Sequence, residues 1–310
     1  MKKIIYFGGG IAILLGGLFF WNMRAEESSD THIQVVASLY PVAFLAEQIG
    51  GDLVSVKTVV PPGVEPHDFD PSLRDVADMY RSDLVIVNGA GVDRWAERLE
   101  GDLAEKGVRV VVLARPPDLM DVARGDDSDA QEAGAKDPHF WLDPIAYRKS
   151  ASAILQALID ADPRHASVYR MNFGRFEREI AILDAHFRTL SGDQCRLDTV
   201  IVSHNAFSYL ARRYGFDARS IAGINPEQEV SAGELAAVIR FMKEKNIRYV
   251  LNEPLGSMAV ATTIRREISA EVLPLNPIEG LFPEELAAGK NYFTVMDENW
   301  ITLRKALECE

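Results

Sequence analysis

The sequence predicts an α/β fold of two lobes, each with a central, mainly parallel β-sheet flanked by helices, joined by one long α-helix. Three observations carry the prediction. Short apolar strand runs with little polar alternation are interleaved with helical stretches, the pattern of a parallel sheet covered on both faces. That pattern occurs twice, once in each half of the chain. Between the two occurrences lies an apolar stripe too long for a crossover helix: Tyr169, Phe173, Phe176, Ile180, Leu183, Phe187 and Leu190 recur at alternating steps of four and three.

The first series opens with a β-branched strand at 33–38 and a helix at 41–49. A second strand, 53–60, ends at Pro61-Pro62-Gly63, which forces a loop. Ser72 is placed to cap a helix running to about residue 81, with Asp75 in its first turn. A continuous apolar strand at 84–87, a helix at 95–106 and a strand at 108–113 complete the half. Residues 115–138 break the rhythm with Arg-Pro-Pro and an acidic, small-residue stretch. It reads as a mobile loop or a disordered surface insertion, with metal gathering as the alternative role for its carboxylates.

Helix returns at 146–160, and Asp162-Pro163 opens the long one. A helix of roughly 25 residues spans close to 40 Å at about 1.5 Å per residue, enough to cross a lobe. Ser191-Gly192-Asp193 ends it, so it reads as the connector, and its His165 and His186 read as helix-surface residues. The second series follows as strand 199–203, helix 205–214, strand 216–221 and helix 231–245, the last with Ser231 and Glu234 as a capping box. Strand 249–251, helix 257–268, strand 272–275 and a helix near 297–307 close the chain. The expected organisation is therefore an N-terminal lobe at 31–161, a linking helix at 162–192 and a C-terminal lobe at 193–310, preceded by residues 1–30.

Those first thirty residues have the layout of an export segment. Lys2 and Lys3 precede an apolar, glycine-rich run at 4–21, and an acidic stretch follows. The run approaches the length of a membrane span, and Met23 and Ala25 make a poor cleavage context, so a signal peptide and a retained N-terminal membrane anchor at 4–21 both stand. No cysteine lies nearby, which excludes a lipid-modified cysteine. The expected location is periplasmic or otherwise extracytoplasmic. In that setting Cys195 and Cys309 would form one disulfide tying the tail to its lobe, with two unpaired thiols as the alternative. A formal net charge of -13, with 33 Lys+Arg against 46 Asp+Glu, argues against a nucleic-acid partner, which needs a basic footprint.

Three histidines stand at strand-to-helix junctions: His67 in Pro-His-Asp-Phe-Asp-Pro, His139 in Asp-Pro-His-Phe-Trp-Leu-Asp-Pro and His204 in Ser-His-Asn-Ala-Phe. Open α/β sheets bind ligands outside the carboxyl ends of their strands, so these loops would bring the imidazoles to a seam between lobes. One such histidine would read as an ordinary loop or core residue. Three suit a first-row transition metal ion. Pro66 and Pro138 stiffen two of the loops, and Asp68, Asp70 and Asp143 are near enough in sequence to accept from imidazole N–H groups.

Four stretches carry a wider likeness: Pro61 to Ser72, Asp83 to Gly89, Asp137 to Pro144, and Pro226 to Ser231. In that order they resemble the signature stretches of the metal-binding substrate-binding proteins of zinc and manganese ABC importers, cluster A-I or solute-binding family 9. The resemblance covers nearly everything from residue 33 onward. It implies two α/β lobes joined by one rigid helix, an ion at their interface and delivery to an ABC transporter membrane permease by a monomeric receptor. It also implies that His67, His139 and His204 are ligands, with histidine at the third place marking zinc-type members. Three imidazoles favour Zn²⁺ over Mn²⁺ on softness as well. The fourth ligand is expected at Asn276, where the family commonly has aspartate, with Glu279 or Glu253 as alternatives. Ordinary imidazoles would hold the ion near neutrality and lose it at about pH 6 and below.

The resulting function is an extracytoplasmic zinc receptor, not an enzyme. A zinc-dependent hydrolase is the competing class, with Glu253 or Glu279 as general base. It lacks an HExxH helix. A surface adhesion protein is a third class and has no positive residue-level support.

Overall fold

The computed structural model describes residues 32–114, 119–121, 136–190, 194–226 and 230–310. The expected export or anchor segment at 1–30, the expected helix end at Ser191-Gly192-Asp193, most of the acidic stretch at 115–138, and Glu227, Gln228 and Glu229 lie outside the described residues. No helix among the described residues is long and apolar enough to cross a membrane.

In the first half, β1 (Ile33–Ala37), β2 (Val54–Thr58), β3 (Leu84–Gly89) and β4 (Arg109–Ala114) form a sheet in the order β2-β1-β3-β4, every pair parallel. In the second, β5 (Thr199–Val202), β6 (Asp217–Ser220), β7 (Tyr249–Asn252) and β8 (Glu271–Pro274) form an all-parallel sheet in the order β6-β5-β7-β8. The two halves are wound alike, and each strand of one has its counterpart in the other.

Crossover helices cover both faces. The first half contributes α1 (Tyr40–Gly50), α2 (Leu73–Met79), α3 (Arg94–Glu105) and α4 (Pro144–Ala161). Next comes the long helix α5 (Ala166–Phe187), extended by tighter turns at Pro163–His165 and Arg188–Leu190. The second half adds α6 (Ser208–Tyr214), α7 (Ala232–Lys245), α8 (Ala259–Ile268), α9 (Pro283–Ala287) and α10 (Tyr292–Leu307). The expected caps form: Ser72 with Asp75, and Ser231 with Glu234, each exchange side-chain and backbone bonds across the first turn. Two terminal features differ from expectation. Short α9 was missed, and α10 begins five residues earlier than residue 297 because Asn291 caps it by accepting from Phe293 and Thr294.

Period-two side-chain alternation sorts the strand residues between two cores. Val35, Ala37, Leu84 and Ile86 face a central cluster, while Val36, Val85 and Val87 face a second one under Met79, Trp95 and Leu103. In the second sheet Val200, Val202 and Leu251 join the same central cluster, and Ile201 and Val250 face the opposite side with Val238 and Met242. One apolar core therefore runs through both lobes. The α5 stripe lies in it, with Tyr169, Phe176, Ile180, Leu183, Phe187 and Leu190 buried and Phe173 packed at its edge. Ile33–Glu310 forms one compact unit. The disulfide Cys195–Cys309 ties the chain end to the start of the second half.

Candidate metal centre

All the site loops leave the carboxyl ends of strands. His67 follows β2, His139 follows β4, His204 lies two residues beyond β5, Glu253 immediately follows β7 and Glu279 follows β8. One ligand-type atom from each of His67, His139, His204 and Glu279 lies within 4.8 Å of the others. The Nε2 atoms of His67 and His139 are 3.3 Å apart. Glu279 Oε1 stands 3.0 Å from His139 Nε2, 3.3 Å from His67 Nε2 and 3.4 Å from His204 Nε2. Donors at about 2.0–2.1 Å from a tetrahedral zinc ion are separated by about 3.3 Å, so this spacing has the edge length of such a polyhedron.

The donors are sequestered and held from behind. The side chains of His139, His204 and Glu279 are 0% exposed and that of His67 is 7% exposed. Asp137 Oδ1 accepts from both the backbone N and Nδ1 of His139, at 2.9 and 2.8 Å, which puts the proton on Nδ1 and leaves the Nε2 lone pair facing the group. Glu253 Oε2 stands 2.9 Å from His204 Nδ1, as a charge contact whose angle falls short of a hydrogen bond. Gly256 makes room for it: a Cβ there would lie 2.4 Å from Glu253 Oε1. His67 is less enclosed, and its ring borders a cleft of 620 Å³ shared with Asp68 and Asn225.

Charge balance explains how so many carboxylates are tolerated. Burial favours neutral Glu279, but its contacts with His139, His204 and His67 outweigh that and hold it well below the usual carboxylate range. Burial likewise disfavours imidazolium at His204, yet Glu253 and Glu279 lift it to about 10. His139 is raised in the same way, with Asp137 and Glu279 overcoming burial. Glu65, whose Oε1 accepts from the His67 backbone N at 3.1 Å, is pushed up to about 9 by burial and then by the nearby Glu279 charge. At His204 this balance departs from the expectation of an ordinary imidazole, and a cation binding there must displace a proton. Buried His204 Nε2 has no hydrogen-bond partner, as suits a donor aimed at a metal ion.

Residues 35–306 match the family model described as ZnuA, zinc-uptake complex component A, periplasmic. The chain belongs to this family. It is 31% identical over 288 residues to the high-affinity zinc uptake system protein ZnuA of Bacillus subtilis, covering 91% of this chain and 90% of that relative. It is 29% identical over 318 residues to the zinc-binding lipoprotein AdcA of Streptococcus pneumoniae, across all of this chain but only 62% of that longer relative. The crystal structure of the Zn(II)-bound ZnuA-like domain of Streptococcus pneumoniae AdcA superposes with a TM-score of 0.77 at 28% identity, covering 89% of this chain and 99% of that one.

Against this ZnuA-family background the expected residues fall as follows. The structure gathers His67, His139 and His204, and adds Glu279. Asn276 is put to another use: its side-chain oxygen accepts from Ile278 N at 2.7 Å, closing a turn in which Ile278 adopts a φ of 58°. Asn299 grips the same residue, accepting from Asn276 N at 2.8 Å and donating to its carbonyl at 2.7 Å. Asn276 thereby shapes the loop that presents Glu279. The three aspartates expected behind the imidazoles are also elsewhere. Asp68 accepts from Asn225 Nδ2 at 3.2 Å, Asp70 pairs with Arg98, and Asp143 caps α4 and pairs with Arg213. Asp137 was overlooked because nothing in its sequence position distinguishes it from those three. His165 and His186 pair with Asp162 and Asp297 on the helix surface, as read from sequence.

Proposed function

We propose that this chain is an extracytoplasmic Zn²⁺-binding receptor whose four ligands are His67, His139, His204 and Glu279, and which delivers the ion to an ABC-type import permease. The single observation that carries the reading is the convergence of three imidazole nitrogens and one carboxylate oxygen within 4.8 Å of one another, drawn from both halves of the molecule, with four of their separations at 3.0–3.4 Å. Zinc is the cargo. Its charge would balance the buried carboxylates, Asp137 would keep His139 in the ligating tautomer, and the Glu253 charge would stand behind His204.

Residues 31–161 and 193–310 act as the lobes and 162–192 as their connector, in a monomer exported or tethered through residues 4–21. The hydrolase reading fares worse on two grounds. Three of the four donors have no solvent contact, so a substrate has little access to the ion. Glu253 and Glu279, the candidate bases, are already engaged by imidazoles. Zinc titration of H67A, H139A, H204A and E279Q proteins tests the assignment, together with Zn²⁺ and Mn²⁺ competition in the unaltered chain. Each substitution is expected to weaken zinc binding at least tenfold, the scale of losing a ligand or its immediate support. Wild-type affinity in all four, or preference for Mn²⁺ at equal free concentration, would sink it.

A further inference from the structure

The loops that deliver His139 and Glu279 leave equivalent outer strands of the two sheets, β4 and β8, and they are pinned to each other. Trp141, two residues after His139, is fully buried, and its indole N–H donates to the carbonyl of Pro277 at 2.8 Å. Pro277 lies two residues before Glu279. The same tryptophan is fixed on its other side, where its carbonyl accepts from the Tyr292 hydroxyl at 2.6 Å. Its ring meets that of His139 edge to face at 5.1 Å. The partner loop is equally constrained, by proline, by the Asn276 turn and by the Asn299 grip. Of the three imidazoles, His139 makes the closest approach to Glu279, at 3.0 Å against 3.3 and 3.4 Å.

We infer that Trp141 is a positioning residue that sets the span between His139 and Glu279 across the lobes and so selects for the size of the ion held. This rests on the zinc-binding reading above. A larger cation needs longer bonds, so the two donors must separate. Separation stretches the indole–carbonyl bond and disturbs the ring packed on His139, both in a buried setting where a lost hydrogen bond is costly. Zinc fits without that movement, so the penalty falls on the competitor. His67, at the rim of the cleft, is tied across the lobes through its neighbour Asp68, which accepts from the Asn225 amide at 3.2 Å, a contact open to water where the Trp141 bond is buried.

The test uses the full chain and the bare ions Zn²⁺ and Cd²⁺, a larger dication with similar liking for imidazole. Dissociation constants come from competition with a chelating dye for wild type, W141F, Y292F and H139A, with melting curves of the metal-free proteins alongside. W141F retains an aromatic ring but leaves the Pro277 carbonyl without its donor. It is expected to lose about tenfold in zinc affinity, the scale of removing a ligand's supporting partner, while cadmium loses less, so the ratio shifts toward cadmium. Y292F should move the ratio the same way by a smaller factor. A purely structural role would weaken both ions equally, and that result, or no change, overturns the assignment. If W141F does not fold, Y292F decides, and an unaltered ratio there is equally fatal. Wild-type zinc affinity in H139A would instead sink the binding reading itself, so the two failures are distinguishable.

Discussion

Two single residues illustrate how the chemistry of the site depends on neighbours that never touch an ion. Asn276 supports the left-handed Ile278 by accepting its N–H, and a β-branched residue in that conformation is costly without such support. N276A should therefore lower zinc affinity by about tenfold, whereas N276D, which keeps the acceptor, should stay within about threefold of wild type. Isothermal or dye-competition titration separates these outcomes, and a marked gain in affinity in N276D would make position 276 a ligand instead. Gly256 gives the complementary case. Its missing Cβ would meet the Glu253 side chain at 2.4–2.8 Å, so G256A should displace Glu253 from His204 and destabilise the protein by about 1–3 kcal/mol. A melting curve identical to wild type would contradict that. At this scale the sequence was only partly legible. The histidines announced themselves through proline-flanked loops after apolar strands, but Asp137, Glu253 and the true use of Asn276 depend on side-chain directions that spacing does not encode. Glu279 was visible only as an alternative, because Asn276 stands nearer the strand exit where a ligand is expected.

Elements were more legible than residues, since period and caps are local properties. The α5 stripe was readable in full, and its burial follows from repeating apolar contacts on one face. Strand order was not readable, because nothing local tells β3 to pair with β1 rather than β2. The C-terminal element offers two tests. Cys195 and Cys309 close a loop of 114 residues, so C195S/C309S should cost about 2–5 kcal/mol, measured by denaturant unfolding with and without reductant. Beside it, Arg196 and Arg248 hold the Glu308 carboxyl at about 2, with Arg248 Nε donating to Glu308 Oε1 at 3.0 Å. A depressed folded-state value contributes stability that is fully present above the unfolded value of about 4.5 and is lost as pH falls through about 2. E308Q should therefore flatten the acid limb of stability between those limits, by no more than about 1 kcal/mol because the pair is solvent-screened. An unchanged acid limb would refute the linkage.

For the whole molecule, the governing fact is that one apolar interior joins both sheets through α5 and α10. A wide hinge would have to expose that interior, at about 25 cal/mol for every Å² of apolar surface uncovered. Zinc should consequently leave the radius of gyration in small-angle scattering unchanged while raising the melting temperature. Saturation at about 1,000 times Kd adds about 4 kcal/mol to stability. Chelation should reverse the rise, and H139A should show a smaller one at the same zinc concentration. A pronounced compaction on zinc addition would mean that the lobes swing, against the shared core. Fold class and two-lobe layout were legible here because repeated strand–helix series and an overlong helix leave few topologies, but the continuity of the core was not.

The like winding of the two sheets carries one more consequence. His67, His139, His204 and Glu279 hang from four separate loops, after β2, β4, β5 and β8. A peptide copied from any one of those loops brings a single donor and none of the geometry. Grafting the centre into another scaffold would require transplanting the ends of both sheets together, since the first half brings only His67 and His139 and the second only His204 and Glu279.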